Sequence, residues 1–586
     1  MDMKSFRQIL MIALTAVLPL QSCKESFLDY TPQGALSEEV LANKDGLNSL
    51  LIGAYAALDG QGNYGLNITG GTAWAVGPDN SIYGSGYGGE SHANALSGNV
   101  EPITAFINER WKASYAGVAR CNAVLRVAEK VTNMTAEEKK NIIGQTRFLR
   151  GHYYFELKRM FNMVPWIDET TVDFKQPNDK DIWPKIEEDF KYAVENVAET
   201  QPDAGRINKT AAIAYLAKTY LYQKKYPEAK TNFDLVIKNG VTSKGIKLNL
   251  NPQFEDNQRP EKELTSPEAL FAVDMSANVG IGTIATANQG SMLNFPINSP
   301  FGCCGNFLPS IDLVNSFRTN PATGLPYLDD YNKHEIKHDI GILSTQPFTK
   351  DEGTIDPRLD WTAGRRGIPF KDWGLMPGNT WIRNSVATGP YVNLKNIYWN
   401  ATKNLYYDGT AWAPGSAINY NVISFADVLL MAAEAEAQTG NLDVAQTYVN
   451  RVRARAANPQ GFVYKYKDDA TPLAGFSTTP AANYLISLYP EGSFQAGGKE
   501  FSLKAIYFER KLELAMQGHR FFDLVRWGLA DSFLNAYYTY EITKVTEVTG
   551  LKFTPNKNEY YPIPQTQIDI STVDGRPTLK QNPGYQ

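Results

Sequence analysis

The sequence predicts a mostly α-helical protein whose helical scaffold is interrupted by one large, loop-rich insertion. Three observations predict it. Apolar residues recur at three- and four-residue spacing through most of residues 37–241 and 422–586. Two segments patterned as helix pairs, 210–239 and 424–457, lie far apart in the chain. Residues 242–421 between them are rich in Gly, Pro, Asn and aromatics, with few periodic runs.

The first 22 residues are set apart as an export signal. Lys4 and Arg7 precede the apolar run Ile9 to Leu20, and Ser22 precedes Cys23. Twelve apolar residues are too few for a membrane-spanning helix, which needs ~20. A cysteine directly after Ser22 resembles the lipidated first residue of a mature bacterial lipoprotein, and acyl chains anchor a soluble domain without a spanning helix. Lys24-Glu25 resembles the charged tag that sends some Gram-negative lipoproteins to the cell surface. No later stretch is long and apolar enough to cross a membrane.

The helices follow. Val40, Leu41, Leu47, Leu50, Leu51 and Tyr55 mark one beginning at Ser37; 101–131 and 135–161 continue the pattern, and Thr135-Ala136-Glu137-Glu138 reads as a capping box. Another amphipathic helix covers 181–199. Leu216, Ala217, Tyr220, Ala229, Phe233 and Val236 fall at tetratricopeptide offsets around the turn Lys225-Tyr226-Pro227. The second pair turns at Gly440-Asn441; Ala433 and Ala445 fit, but Glu436 stands where Tyr220 does in the first. Two repeats so separated predict a scaffold with an insertion rather than a free solenoid. Near the C-terminus, residues 506–528 predict a helix ending at Gly518 and a second closed by Gly528. Their interleaved Glu509, Arg510, Glu513, Arg520, Asp523 and Arg526 predict a partly buried ion-pair network, in preference to a catalytic reading of Glu509, His519 and Asp523.

Charge and composition narrow the function. A net charge of −5 with no basic run argues against nucleic acid. With 32 Tyr and 10 Trp, many in the loop-rich stretches 60–98 and 242–421, ordered, ligand-facing loops are predicted, since disordered segments are poor in aromatics. Three cysteines besides Cys23 are too few for a disulfide scaffold; Cys121 reads as a buried apolar residue, and Cys303-Cys304 as either two thiols or a vicinal disulfide. His334-Glu335-Ile336-Lys337-His338 matches H-E-x-x-H, which on a helix would seat zinc with Glu335 as base. Its flanks form no strong apolar helix, so a zinc peptidase is the lesser reading.

Several segments carry a family resemblance. Phe27-Leu28-Asp29, the run from Arg147 to Trp166, Asp356-Pro357-Arg358-Leu359, the 434–457 repeat, the 506–528 segment, Tyr561-Pro562-Ile563-Pro564 and Asn582-Pro583-Gly584-Tyr585 occur in an order that resembles the SusD/RagB family of outer-membrane nutrient-binding lipoproteins. The resemblance implies a signal over 1–22, a helical region with tetratricopeptide repeats over 23–241, a loop-rich subdomain over 242–421 and a C-terminal helical region over 422–586. It implies binding without chemistry or cofactor: a surface lipoprotein anchored at Cys23 that captures oligosaccharides for a SusC-like TonB-dependent transporter, or peptides as RagB-like members do. It places the ligand where the early loop meets the insert, with Trp74, Asp79, Asn80 and Tyr83 facing Trp373, Trp381 and Tyr398. An aromatic face suits the C–H face of a pyranose, and amide or acid groups suit its hydroxyls. Packing inside the loops competes for each aromatic, above all for Trp166 and Trp361 beside the motifs.

Overall fold

The early helices form where the spacing predicts them, and local caps decide where each begins. The computed structural model describes residues 37–59, 81–82, 100–279, 287, 294–302, 304–409 and 415–585; the predicted export signal and Cys23 lie outside the described residues. Instead of one helix from Ser37 there is a single turn, Glu38–Leu41, and then α1 (Lys44–Ala56). Asn43 makes the break: its backbone is extended and its side chain accepts the Gly46 amide at 3.0 Å, which restarts the helix.

Helices α2 (Ala105–Lys130), α3 (Ala136–Phe161), α4 (Trp183–Asn196), α5 (Lys209–Tyr222) and α6 (Tyr226–Asn239) follow, each packed on the one before. The capping box is present at α3: the Thr135 hydroxyl accepts the Glu138 amide at 3.1 Å, and the Glu138 carboxylate accepts the Thr135 amide at 3.0 Å. Thr135→Ala is expected to lower stability by about 1 kcal/mol, measured by urea unfolding. Close approach explains a glycine in α2. A Cβ on Gly117 would lie 2.6 Å from the Tyr153 ring, so even alanine there would push α3 away.

The two predicted helix pairs join in space. Helix α7 (Phe425–Gln438) packs directly on α6, α8 (Leu442–Ala456) packs on α7, and α9 (Ser493–Glu513, broken by a kink at Gly498, φ 72°) packs on both. Glu436, the departure from the repeat pattern, has a local explanation. It accepts from Asn441 at 2.6 Å and pairs with Lys230 of α6 at 3.2 Å, pinning one repeat to the other. The stack is therefore continuous, although 185 residues of sequence separate α6 from α7.

Between α6 and α7 the chain forms short, irregular elements. Of the short strands, six matter here: β1 (Ser81–Ile82), β2 (Ala269–Val273), β3 (Leu308–Pro309), β4 (Ala363–Gly364), β5 (Val392–Asn393) and β6 (Tyr420–Ser424). They pair antiparallel as β1 with β3, β2 with β6 and β4 with β5. Strand β2 carries Phe271 into the helical core, where its ring meets Phe148 at 5.4 Å and Tyr215 at 6.3 Å.

The C-terminal helices differ from expectation in one place. Helix α9 ends at Glu513 rather than at Gly518. Met516 takes a left-handed conformation, φ 60°, and the early turn sets the Gln517 carbonyl to accept the Tyr420 hydroxyl at 3.1 Å. Helix α10 (Arg520–Trp527) closes on left-handed Gly528 as predicted, and α11 (Ala530–Glu541) follows.

Glu509, Arg510, Glu513, Asp523 and Arg526 form the predicted ion pairs, which reach further than their own segment, while Arg520 donates to the Tyr507 carbonyl at 3.3 Å. Arg358 bonds Asp356 at 2.7 Å, Glu509 at 2.7 Å and Glu513 at 2.9 Å, and Arg453 bonds Glu509 at 2.8 Å; all five residues are buried. Arg455 joins Glu513 to Glu268. Arg510 bridges Asp427 at 2.7 Å and Asp523 at 2.9 Å, and Arg526 bridges Glu434 at 2.6 Å and Asp523 at 2.9 Å. Burial works against every one of these charges. The paired guanidinium nevertheless holds Asp356 below the usual carboxylate range, and Asp356 with Glu509 holds Arg358 above its ordinary value. The Asp356-Pro357-Arg358-Leu359 motif thus ties the insert to α9.

One buried carboxylate caps an insert helix from outside. Glu541 accepts the amides of Ile311 at 2.7 Å and Asp312 at 3.1 Å, at the start of the helix Ile311–Ser316. Burial, with Asp312 beside it, pushes the Glu541 carboxyl up to about 8. The folded state therefore holds a proton that the unfolded chain releases near about 4.3. Its contribution is complete below that value and is lost as pH rises through about 8. Glu541→Gln is expected to flatten the fall of stability between pH 5 and pH 8, read by urea unfolding at several pH values.

Candidate functional site

The insert builds its own apolar core, and two of the five aromatics predicted to meet ligand, Trp381 and Tyr398, belong to it. Phe295, Phe301, Phe370, Trp381 and Tyr398 cluster with Leu308, Val392 and Leu394. Phe370 meets the Trp381 ring edge-on at 5.2 Å, and Phe295 meets Tyr398 at 5.7 Å. Trp381 and Tyr398 are 8% and 4% exposed, so neither presents a free face. Both fill the insert's interior, the role that competes with ligand contact for any loop aromatic.

Trp373 stands apart. It lies at a tight turn in which the Phe370 amide donates to the Gly374 carbonyl at 2.9 Å and the Trp373 amide to Phe370 at 3.0 Å. Gly374 has φ 116°, a backbone conformation that side chains disfavour, so glycine is needed there. The Trp373 indole donates to the Tyr398 carbonyl at 2.9 Å, and its ring rests on the edge of Phe301 at 4.6 Å. The side chain is partly exposed, on the margin of the core. Asp372 beside it accepts the amides of Asn400 and Ala401 at 2.7 and 2.8 Å, which fixes the turn against residues 399–402.

That contact brings together residues that sequence reasoning did not select. Lys403 Nζ lies 5.6 Å from the Trp373 ring centre. Tyr407, 40% exposed, lies 5.6 Å from Tyr398, and Tyr406 packs on the same cluster. Trp373, Lys403, Tyr406 and Tyr407 thus all border the insert core, three aromatic rings and one cation. The adjacent tyrosines so soon after Trp399 were the available signal.

The early loop reaches this subdomain through its backbone. Ser81 pairs with Pro309 and Ile82 with Leu308, and Leu308 belongs to the insert core. Trp74, Asp79, Asn80 and Tyr83 lie outside the described residues, the last three within two positions of β1. The remaining tryptophans of note have inward tasks. Trp361 donates to the Gly461 carbonyl at 2.7 Å, and Trp166 stacks on Tyr154 at 4.1 Å.

The H-E-x-x-H segment does not have the geometry that zinc chemistry requires. Residues 334–338 are not helical, so the two imidazoles are not set one helical turn apart. His334 stacks on Tyr327 at 3.7 Å, while Glu335 binds Lys544 at 2.5 Å and accepts the Tyr540 hydroxyl at 2.7 Å. Among the described residues no group of three or more His, Cys, Asp or Glu side chains is arranged to hold a metal ion. Cys121 is a buried free thiol; Cys304 is disulfide-bonded, and Cys303 lies outside the described residues.

Comparison with known proteins places this architecture. Residues 267–585 match the model of the SusD family, and residues 26–221 match a model described as starch-binding associating with outer membrane. Among curated relatives, SusD-like protein P2 of Formosa agariphila is 23% identical over 98% of both chains. A SusD-like protein of Bacteroides ovatus is 28% identical over 36% of this chain and 39% of its own. Solved structures share the fold. A SusD superfamily protein from Bacteroides vulgatus superposes with a TM-score of 0.64 at 20% identity, covering 92% of this chain and 99% of the other. A laminarin-binding SusD-like protein gives 0.60 at 22% identity, covering 93% and 100%, and surface glycan-binding protein A from Bacteroides fluxus gives 0.63 at 19%, covering 92% and 99%. With one family model spanning more than half of its length, this mostly helical, tetratricopeptide-like chain belongs to the SusD family.

Proposed function

We propose that this protein is a cell-surface, lipid-anchored oligosaccharide-binding protein that hands its ligand to a SusC-like TonB-dependent outer-membrane transporter, and that it performs no catalysis. The observation that carries the reading is the antiparallel pairing of β1 with β3. It joins the segment bearing Asp79, Asn80 and Tyr83 to the subdomain whose margin carries Trp373. Aromatic faces at that margin suit the C–H face of a sugar ring, and the acid and amide of the early loop suit its hydroxyls. Fold neighbours that include a laminarin-binding protein and a surface glycan-binding protein support a carbohydrate ligand. Cys23 is the proposed acylation site, and a SusC-like barrel would complete the binding chamber and raise the effective ligand concentration.

The test uses the soluble chain from Lys24 onward against immobilised oligosaccharides and, in parallel, peptides. Retention on one glycan class is expected; retention on peptides alone would overturn the carbohydrate assignment and favour a RagB-like role. Palmitate labelling of the full chain in cells is expected to disappear in Cys23→Ala, and label that persists would overturn the anchor.

A further inference from the structure

Lys395 is a buried cation without a counter-ion. It is 1% exposed, yet the only polar contact of its ammonium among the described residues is a long one, 3.5 Å to the Glu513 carbonyl. The centre of the Phe254 ring lies 5.0 Å from Nζ. Arg358 and Arg455, whose charges reach the same place, each bind a carboxylate directly. A buried charge without a partner either neutralises or takes a partner from outside. Burial pushes the Lys395 amine down to about 7; Glu513 opposes the shift, and Arg455 and Arg358 add to it. The amine also faces a cavity that supplies further donors. Lys395, Asn396, Gln258, Asn421 and Gln517 line ≈ 20 Å³ of space beside Tyr420. The Gln258 side-chain carbonyl accepts the Asn396 amide at 2.9 Å, which leaves its NH2 group to donate. The side chains of Asn396, Asn421 and Gln517 make no hydrogen bond among the described residues. The frame around them is fixed. The Asn393 side chain accepts the Lys395 amide at 2.9 Å, and the Asn294 side chain donates to the Lys395 carbonyl at 2.9 Å.

We propose that this cleft is a second ligand site, separate from the aromatic margin, and that it takes a carboxylate group. A space of ≈ 20 Å³ admits a group of one or two water-sized atoms and excludes a whole sugar ring. The two carboxylate oxygens match the donors that line it: one meets the Lys395 ammonium, the other the NH2 groups of Gln258, Asn421 and Gln517. A neutral hydroxyl would leave the ammonium without a counter-ion, so the buried charge selects an acid. The rest of the ligand points outward. Through Asn419 and Asn421 the cleft adjoins a cavity of ≈ 50 Å³ lined by Arg206, Lys244, Asp274 and Glu263. Burial pushes the Glu263 carboxyl up to about 8, so at neutral pH it is mostly uncharged and repels an arriving acid little. The site stands whatever the aromatic margin binds. The carboxylate of a uronic acid and that of a small free acid present the same oxygens, and titration separates the two sources.

The test is calorimetric titration of the chain from Lys24 with sodium acetate and sodium glucuronate, with sodium chloride and glucose as controls. At about pH 8 the unliganded amine is mostly neutral, and a carboxylate beside it favours the protonated form. Binding should therefore take up about one proton per carboxylate, read by repeating the titration in buffers of different ionisation heat. Lys395→Met keeps a similar length and removes the charge. It should fold with a midpoint no lower than the native one and lose at least about tenfold in affinity, together with the proton uptake. Gln517→Leu alters the opposite wall and should weaken binding while each bound carboxylate still takes up its proton. Tighter binding of glucuronate than of acetate assigns the site to an acidic sugar, and the reverse to a small free acid. Heats no larger than those of chloride and glucose, or native affinity in either folded variant, would overturn the site.

Discussion

Replacing Arg358 with Met is expected to destabilise the protein by about 3–5 kcal/mol, the cost of breaking a buried ion pair from one side. The guanidinium lies among Asp356, Glu509 and Glu513, all buried. Without it three carboxylates face one another, and Arg453 and Arg455 reach only two of them. The loss should extend beyond one helix, because Arg358 belongs to the insert while Glu509 and Glu513 belong to α9. Limited proteolysis should therefore release the insert from the helical stack before the stack itself unfolds. Lys44→Met, which breaks an exposed pair with Glu138, should leave the unfolding midpoint unchanged. Equal effects from the two variants would contradict the assignment of Arg358 as the joint.

The second large effect separates two tryptophans. Trp381→Ala is expected to cost about 3–5 kcal/mol, because a large buried side chain leaves both lost burial and a cavity. Its ring packs on Phe370 within the insert core, so the loss should fall on the insert and weaken ligand binding through disorder of the subdomain. Trp373→Ala removes a side chain at the margin of the same core. It should leave the unfolding profile close to that of the native protein and reduce ligand affinity directly. Comparing unfolding by near-ultraviolet circular dichroism with binding separates the roles: Trp381 should change both and Trp373 chiefly the second.

These two residues also show how far the sequence could be read. Helices α3, α5, α6, α7 and α8 were legible because apolar spacing, caps and turns are local signals, and each repeats its message over several turns. The break at Asn43 and the early end of α9 were not, since both depend on a single hydrogen-bonded turn. The need for charge pairing in residues 509–526 was legible, because buried charges require partners. The partners were not, since Arg358 and Glu513 are 155 positions apart. The candidate site was hardest to read. An aromatic in a loop can fill a small core or meet a ligand, and the two roles share the same residue types. Only the packing around Phe295 and Phe301 assigns Trp381 and Tyr398 to the interior and leaves Trp373 at the margin. A two-residue pairing such as β1 with β3 carries no sequence signature at all.

The measurement closest to the central claim is a calorimetric titration of the soluble chain with the oligosaccharide it retains best. Native protein and Trp373→Ala would be measured side by side, with the unfolding midpoint of each recorded. A loss of at least about tenfold in affinity, worth about 1.4 kcal/mol, at an unchanged midpoint is the predicted result. Undiminished binding by a folded Trp373→Ala protein would contradict a stacking surface where the early loop meets the insert.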